Sequence, residues 1–473
     1  MRQQWVEHPL SIFAAAAELP DGLAWIGPDH EWTFADAARR TREIMEGLKQ
    51  SRPGLGPGDR LPVIGRPSFD GVCTVYAALE LGLCLVPLHS RWTETERDAF
   101  RARLGLGPIW DPSTRGPRQV ANHGISEPTP FEIDADLAIL ATSGSTGQPK
   151  GVRLSRGAFL ASAAGSAKRL GSRPRDRTLL SLPLAHIGGL SIVTRQLIGR
   201  RPLVQAPTTA GFRAEPVLEA MRRHEVSHLS VVPTMLRRLL EVPGPAPSSL
   251  RVVLLGGAAA SPGLVREARA RGWPVLVTYG LTEACSQVAT EDPADPHAGV
   301  VGRVGPLLDG MEARIHNRVL ELRGPALLSS YEPVEQLGTG KDAEGWFRTG
   351  DLGRMDESGH LHILGRADHV IISGGENVSP TEVEAALEEH PAVATAAVYA
   401  KADAEWGQAV HALVVASPTG EAASEEELLS FLKPRLARFK VPRSIRTVQN
   451  LSMTASGKLD RRLLEKITRT GNF

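Results

Sequence analysis

From residue 136 to residue 281 the chain repeats one pattern, and that pattern limits its fold more than any other feature. "DLAIL" precedes a Gly/Ser loop. "RTLLSLPL" reads as a strand, "IGGLSIVTRQLIG" as a helix ending at Gly199, and "RPLVQAP" as the next strand. "PVLEAMRRHE" follows as a helix, "SHLSVV" as a strand, and "PTMLRRLLE" as a helix with Pro233 in its first turn. "LRVVLLGG", "SPGLVREARARG" and "WPVLVTYG" repeat strand, helix, strand. Strands separated by helices predict parallel sheets covered on both faces. Ligands of such sheets sit beyond the carboxyl ends of the strands. The polar, glycine-rich stretches fall at those ends: Ser143 to Lys150, Gly256 to Ala260, and Gly280 to Glu283.

The 473 residues exceed what one hydrophobic core usually supports, and the character changes after "TGDLGRMDESGHLHILGRADHV". "SPTEVEAALEEH" marks a helix start, with Ser379 as cap, Pro380 in the first turn and Glu382 completing a capping box. "VATAAVYA" and "VHALVVAS" read as strands, and "SEEELLSFLKPRL" as a helix disturbed at Pro434. The expected class is α/β. Residues 1–366 form a large domain of parallel or mixed sheets covered by helices, and residues 367–473 a small mobile α+β domain. The polar joint "GRADH" suits a hinge.

Composition excludes several classes. A formal charge of +1 provides no basic stripe for nucleic acid. The opening "MRQQWVEHPLSIFAAAAELPDG" has a glutamate in its first segment and is broken by Pro9, a poor signal peptide, and no later run is long enough for a membrane span. Cys73, Cys84 and Cys285 share no C-x-x-C spacing and are read as reduced thiols of a cytoplasmic protein. Assembly into a homo-oligomer is left open.

"ATSGSTGQPKGVRLS" suits phosphate: successive N–H groups of a Gly/Ser turn make an anion cradle, and Lys150 adds mobile positive charge. It is not the G-x-x-x-x-G-K-[ST] loop, because Gly151 follows the lysine. A solvated connector is the plain alternative, so other stretches must decide. "TYGLTEACSQ" places an aromatic ring, a hydroxyl and a carboxylate beyond a strand, able to stack a base, bind phosphate and hold Mg²⁺. "FRTGDLG" offers Asp351 for a ribose diol, or an ordinary turn aspartate. "SMTASGKLDRR" places Lys458 in a polar turn and, read alone, presents a surface lysine.

In order and spacing these stretches, with "WTFADAARR", "GLGPGDR", "GGAAAS" and "GRADHVIISGGENVSPTEVE", resemble the acyl-adenylate-forming superfamily of acyl-CoA synthetases, adenylation domains and luciferases. The resemblance covers nearly the whole chain and implies ATP, Mg²⁺ and, as co-substrate, coenzyme A. It matches Thr142, Ser143, Gly144, Ser145, Thr146, Gly147 and Lys150 to the phosphate loop. Gly256, Gly257 and Ala258 match the segment along adenine, Tyr279 the ring stacked on it, and Gly280 lies in the same loop. Thr282 matches the α-phosphate contact and Glu283 the Mg²⁺ ligand. Asp351 matches the ribose aspartate, Arg366 its partner and Asp368 the hinge. Lys458 matches the lysine that enters during adenylation, and Gly374 and Gly375 a pantetheine tunnel. Many members carry a lysine where this chain has Ile372.

The partner implied is a small-molecule carboxylic acid. Amino-acid-activating relatives hold the substrate ammonium with an aspartate after the phosphate loop, but "LPLAHIGGLSIVTRQLIG" has no acidic residue. The absence of a carrier domain after Phe473 favours CoA as acceptor. Arg195 stands in an otherwise apolar helix, either paired or snorkelling, or receiving a second carboxylate of the substrate. "HIGGLSIV", "GGAAAS" and "TYGLTEACSQVAT" closely resemble the o-succinylbenzoate–CoA ligases of menaquinone synthesis. His186 is then expected at the mouth of the acid pocket, the plain alternative being a loop histidine with a structural hydrogen bond, and Ser191, Thr278 and Ser286 are expected as polar lining. A ligase for another aryl or medium-chain acid shares every core motif. A non-catalytic sensor of nucleotide or acyl-adenylate has little use for Lys458, and a luciferase-like oxygenase uses the same adenylation site.

Overall fold

Apolar residues stand side by side along the inner strands of the central sheet, and both faces are consequently buried. Leu180 and Leu203 point into one core while Leu179 and Val204 point into another, all fully buried. The computed structural model describes residues 10–112, 132–143, 149–207, 212–292, 302–403, 406–417, 423–453, 459–461 and 463–464. The central sheet has eight strands, in the spatial order Ser286–Thr290, Val275–Leu281, Val252–Leu255, His228–Val231, Thr178–Leu180, Leu203–Gln205, Leu23–Ile26 and Glu31–Thr33. Its inner strands are parallel and its two edge pairs antiparallel. Helices Ala214–Arg223, Pro233–Glu241 and Pro262–Ala270 bury Leu218, Leu236 and Val265 against one face. Helices Arg156–Arg169 and Ile187–Ile198 contribute Phe159 and Ile192 to the core on the other. Each such buried side chain contributes roughly 1.5–3 kcal/mol.

A second sheet runs in the order Ser330–Glu332, Pro149–Ser155, Asp136–Ser143, Cys84–Leu88 and Arg60–Ile64, parallel only over its last three strands. Among the strands that went unread in the sequence, two groups bear on the site. One is the wholly antiparallel third sheet of Arg303–Pro306, His360–Arg366, Phe347–Met355, Val319–Arg323 and Glu312–His316. The other is Ser286–Thr290, which turns "TYGLTEACSQ" from a loop into a hairpin. Its turn uses positive φ at Cys285 (49°) and Ser286 (100°) in place of glycine or asparagine.

Residues 371 to 448 form another sheet, in which Val393–Asp403 and Gly407–Ala416 pair over their whole length. Helices Pro380–Leu387 and Glu425–Leu432 pack Val383, Leu387, Leu428 and Leu432 against it in a core of its own. The second helix stops before Pro434. The capping box expected at Ser379 and Glu382 does not form. The Ser379 hydroxyl donates instead to the Leu364 carbonyl at 2.5 Å, and Glu382 pairs with Lys440 at 2.6 Å. All three cysteines are buried free thiols. Among the described residues no helix is long and apolar enough to cross a membrane.

Candidate active site

Loops at the strand ends of the first two sheets meet. A Cβ on Gly65, just past Arg60–Ile64, would lie 2.8 Å from the Ala185 nitrogen, and the rings of His89 and His186 are 5.1 Å apart. Across this junction, Lys150 of the second sheet reaches Glu283 of the first, Nζ to Oε1 3.6 Å. The Tyr331 hydroxyl donates to the same oxygen at 3.0 Å, and Lys150 Nζ stands 3.6 Å from the centre of the Tyr331 ring. Burial lowers the Lys150 pKa, opposed by Glu283. Burial and the neighbouring Glu283 carboxylate push the Tyr331 phenol up, which keeps it a donor. Glu283 and Thr282 lie in a single 3₁₀ turn directly after the strand Val275–Leu281. Tyr331 follows no motif in the sequence.

The third sheet supplies the neighbouring cluster. Tyr279 donates its hydroxyl to Asp351 Oδ2 at 2.5 Å, and Arg366 donates to Asp351 Oδ1 at 3.3 Å and to the Thr349 carbonyl at 3.1 Å. Arg366 also forks onto Asp368, at 3.0 and 3.2 Å. The paired residues Asp351 and Arg366 are cross-strand partners, which explains their meeting over fifteen residues of chain. Burial raises the Asp351 pKa, with Tyr279 and Arg366 opposing. Gly350, at φ 77°, leaves room for the Arg366 guanidinium, whose Nη2 would sit 3.1 Å from a Cβ there.

Several glycines mark surfaces where a side chain is not tolerated. A Cβ on Gly256 would meet Thr278 Cγ2 at 2.7 Å, and one on Gly280 would meet the Ser286 carbonyl at 1.9 Å. Gly257 has φ 77°, and Ala258 is half-buried. Thr142, next to last in its strand, has a buried Oγ1 with no hydrogen-bond partner among the described residues. Ser143 pairs through its backbone with Pro149; its side chain and Gly144, Ser145, Thr146 and Gly147 lie outside the described residues, as does Lys458. Gly374 and Gly375 turn the hairpin between Ile371–Ser373 and Glu376–Val378 at φ 59° and 83°. This site fits a magnesium nucleotide. It has an unmet hydroxyl beside the phosphate-type loop, a cation, and a single carboxylate to which phosphate oxygens would be the main co-ligands. Among the described residues no group of three or more His, Cys, Asp or Glu could hold a metal by itself.

Arg195 is half-buried. Among the described residues no carboxylate reaches it, and its Nη1 donates to the neutral Gln287 Oε1 at 3.1 Å. Burial, with Arg201 nearby, lowers its pKa to about 10, so it remains charged. His186 begins the same helix at the N-cap position without a side-chain cap. Of the expected polar lining, Ser191 is buried and donates to the Gly188 carbonyl at 3.2 Å, so its hydroxyl is used within its own helix. Thr278 donates to the Ala289 carbonyl at 3.0 Å, and Ser286 is half-buried in the returning strand. Gln287, at the centre of these contacts, was not singled out in the sequence, where an isolated glutamine carries no signal.

The sequence model described as "AMP-binding enzyme" matches residues 12–103 and 110–325, and "AMP-binding enzyme C-terminal domain" matches residues 382–458. The chain is 34% identical over 488 residues to the 2-succinylbenzoate–CoA ligase of Bacillus velezensis, covering 98% of each chain. It superposes with TM-score 0.86 on the o-succinylbenzoate CoA synthetase of Bacillus subtilis in complex with the acyl-adenylate intermediate, at 32% identity and covering 97% and 98% of the two chains. The same enzyme in complex with ATP and magnesium ion gives a TM-score of 0.84, again at 32% identity, with 96% and 98% covered.

Proposed function

Since the chain belongs to the AMP-binding enzyme family, we propose that it is an AMP-forming acid–CoA ligase acting on o-succinylbenzoate. The succinyl carboxylate attacks the α-phosphorus of ATP and displaces pyrophosphate. The thiol of coenzyme A then attacks the acyl carbon of the acyl-AMP and displaces AMP. The observation that carries the choice of acid is Arg195, a half-buried guanidinium that, among the described residues, meets a neutral amide and no carboxylate. A second carboxylate on the substrate is the counter-ion that such a group lacks.

In this reading Thr142, Ser143, Gly144, Ser145, Thr146, Gly147 and Lys150 hold the β- and γ-phosphates, and Thr282 holds the α-phosphate. Gly256, Gly257, Ala258 and Gly280 leave a flat slot for adenine beside Tyr279, and Asp351, kept in place by Tyr279 and Arg366, accepts the ribose hydroxyls. Mg²⁺ bound at Glu283 would neutralise charge as the carboxylate approaches the phosphate. Lys458 supplies a second cation, to carboxylate and α-phosphate together, when the small domain closes. The chain divides at 366/367, with Asp368 as pivot and Gly374 and Gly375 facing the thiol in the second step. His186 borders the acid, with Ser191, Thr278 and Ser286 behind it. The three buried thiols suit a reducing compartment, the cytoplasm.

The test is acid-dependent exchange of pyrophosphate into ATP without CoA. o-Succinylbenzoate should support it, and Arg195→Ala should lose most of that exchange while the ATP requirement stays unchanged. Exchange that is equally fast with the variant removes the carboxylate contact and with it the choice of acid.

A further inference from the structure

Arg195 ends a chain of hydrogen bonds whose direction is fixed at each link. Thr278 Oγ1 donates to the Ala289 carbonyl at 3.0 Å, so it accepts from Thr290 Oγ1 at 2.8 Å. The Thr290 oxygen in turn accepts from Gln287 Nε2 at 2.9 Å. That fixes the amide with Oε1 on the opposite side, where it accepts from Ser166 at 2.7 Å and from Arg195 Nη1 at 3.1 Å. Gln287 is 4% exposed and Thr290 fully buried, so water does not compete for these contacts. The backbone of Gln287 pairs with Gly280, which ties the amide to the strand leading into Thr282 and Glu283.

We propose that Gln287 is the positioning residue for recognition of the substrate's second carboxylate, an inference that rests on the role of Arg195 given above. A half-buried arginine can be aimed by a carboxylate or by a neutral acceptor. A carboxylate would hold it equally well and would also cancel its charge, leaving little attraction for an anionic substrate. The amide holds the guanidinium by one nitrogen and leaves its charge and its remaining donors for the ligand. Thr290, which accepts from Nε2 because its own proton goes to Thr278, keeps the amide from flipping and presenting N–H groups to the cation.

The experiment compares o-succinylbenzoate with β-benzoylpropionate, the same acid without its aromatic carboxylate, in the wild type, Gln287→Glu, Gln287→Met and Arg195→Ala. The readout is the ratio of kcat/KM for the two acids. Gln287→Glu should lower that ratio on the order of 10- to 100-fold, the size of a lost charged contact, chiefly through the KM of o-succinylbenzoate, with the KM for ATP unchanged. Gln287→Met, which leaves the charge but not the aim, should fall between wild type and Gln287→Glu, and it serves if the glutamate variant does not fold. A merely structural role would lower both acids together and leave the ratio intact, which overturns the inference. If Arg195→Ala also leaves the ratio intact, the role of Arg195 itself fails; if it collapses the ratio while both Gln287 variants do not, only the role of Gln287 fails.

Discussion

Tyr331→Phe removes one oxygen atom from the candidate active site and little else. The lost group is the hydroxyl that donates to Glu283 Oε1 at 3.0 Å. The ring stays, so the contact with Lys150 Nζ at 3.6 Å from its centre is retained, as is the Lys150–Glu283 approach of 3.6 Å. A hydrogen bond to a charged acceptor is worth about 1.5–3 kcal/mol. Because the Glu283 side chain keeps 14% of its exposure and water replaces part of the bond, the lower end applies, about 1.5 kcal/mol or roughly tenfold in rate. The assay is pyrophosphate exchange with MgATP varied at saturating acid, then with acid varied at saturating MgATP. The expected result is a tenfold lower kcat/KM for MgATP, an unchanged KM for acid, and a higher Mg²⁺ concentration at half-maximal rate. A change under twofold, or one confined to the acid, refutes the idea that this hydroxyl aims the metal-binding carboxylate.

Three further outcomes are expected. Lys458→Ala should lose adenylation far more than thioester formation from preformed acyl-AMP, measured as separate half-reactions, and equal losses would refute the division of labour. Gly374→Ala places a Cβ 2.4 Å from the Trp406 ring at φ 59°, and should reduce CoA transfer on the order of tenfold with pyrophosphate exchange nearly intact; loss of both half-reactions alike argues against a role confined to the thiol. Burial of Glu388, where the small domain meets Ser261 and Arg237 of the large one, raises its pKa from 4.5 to about 7, against the Ala396 amide that donates to it at 2.9 Å. The folded form therefore binds a proton that the unfolded chain releases. Stability from this site is present below pH 4.5 and lost as pH rises to about 7. Glu388→Gln should flatten that fall in melting midpoint, and an unaltered pH profile would show that the carboxyl does not titrate there.

Local chemistry decided what the sequence could reveal. Short apolar runs and helical patterns succeed one another between Thr178 and Leu281, and the strands and helices lie on those runs. Pro233 and Pro262 mark helix starts because proline tolerates only the first turn. The hairpin after Tyr279 was illegible because Cys285 and Ser286, not glycine, take the positive φ angles. Ser379 looked like a capping residue, but a partner fifteen residues back, the Leu364 carbonyl, competes for its hydroxyl. The residues that carry motifs were readable as candidates. Tyr331 and Gln287 were not, because their partners Glu283 and Ser166 lie 48 and 121 residues away and only the fold brings them together. Arg195 was legible as an anomaly, a cation in an apolar helix. That it faces an amide and not a carboxylate required the structure.

The most direct measurement is CoA-thioester formation with MgATP across o-succinylbenzoate, benzoate, octanoate, acetate and several amino acids. The account predicts a strong preference for o-succinylbenzoate, with one AMP released per thioester formed. Preference for a monocarboxylate would contradict it, leaving the adenylating site in place but making Arg195 a structural residue.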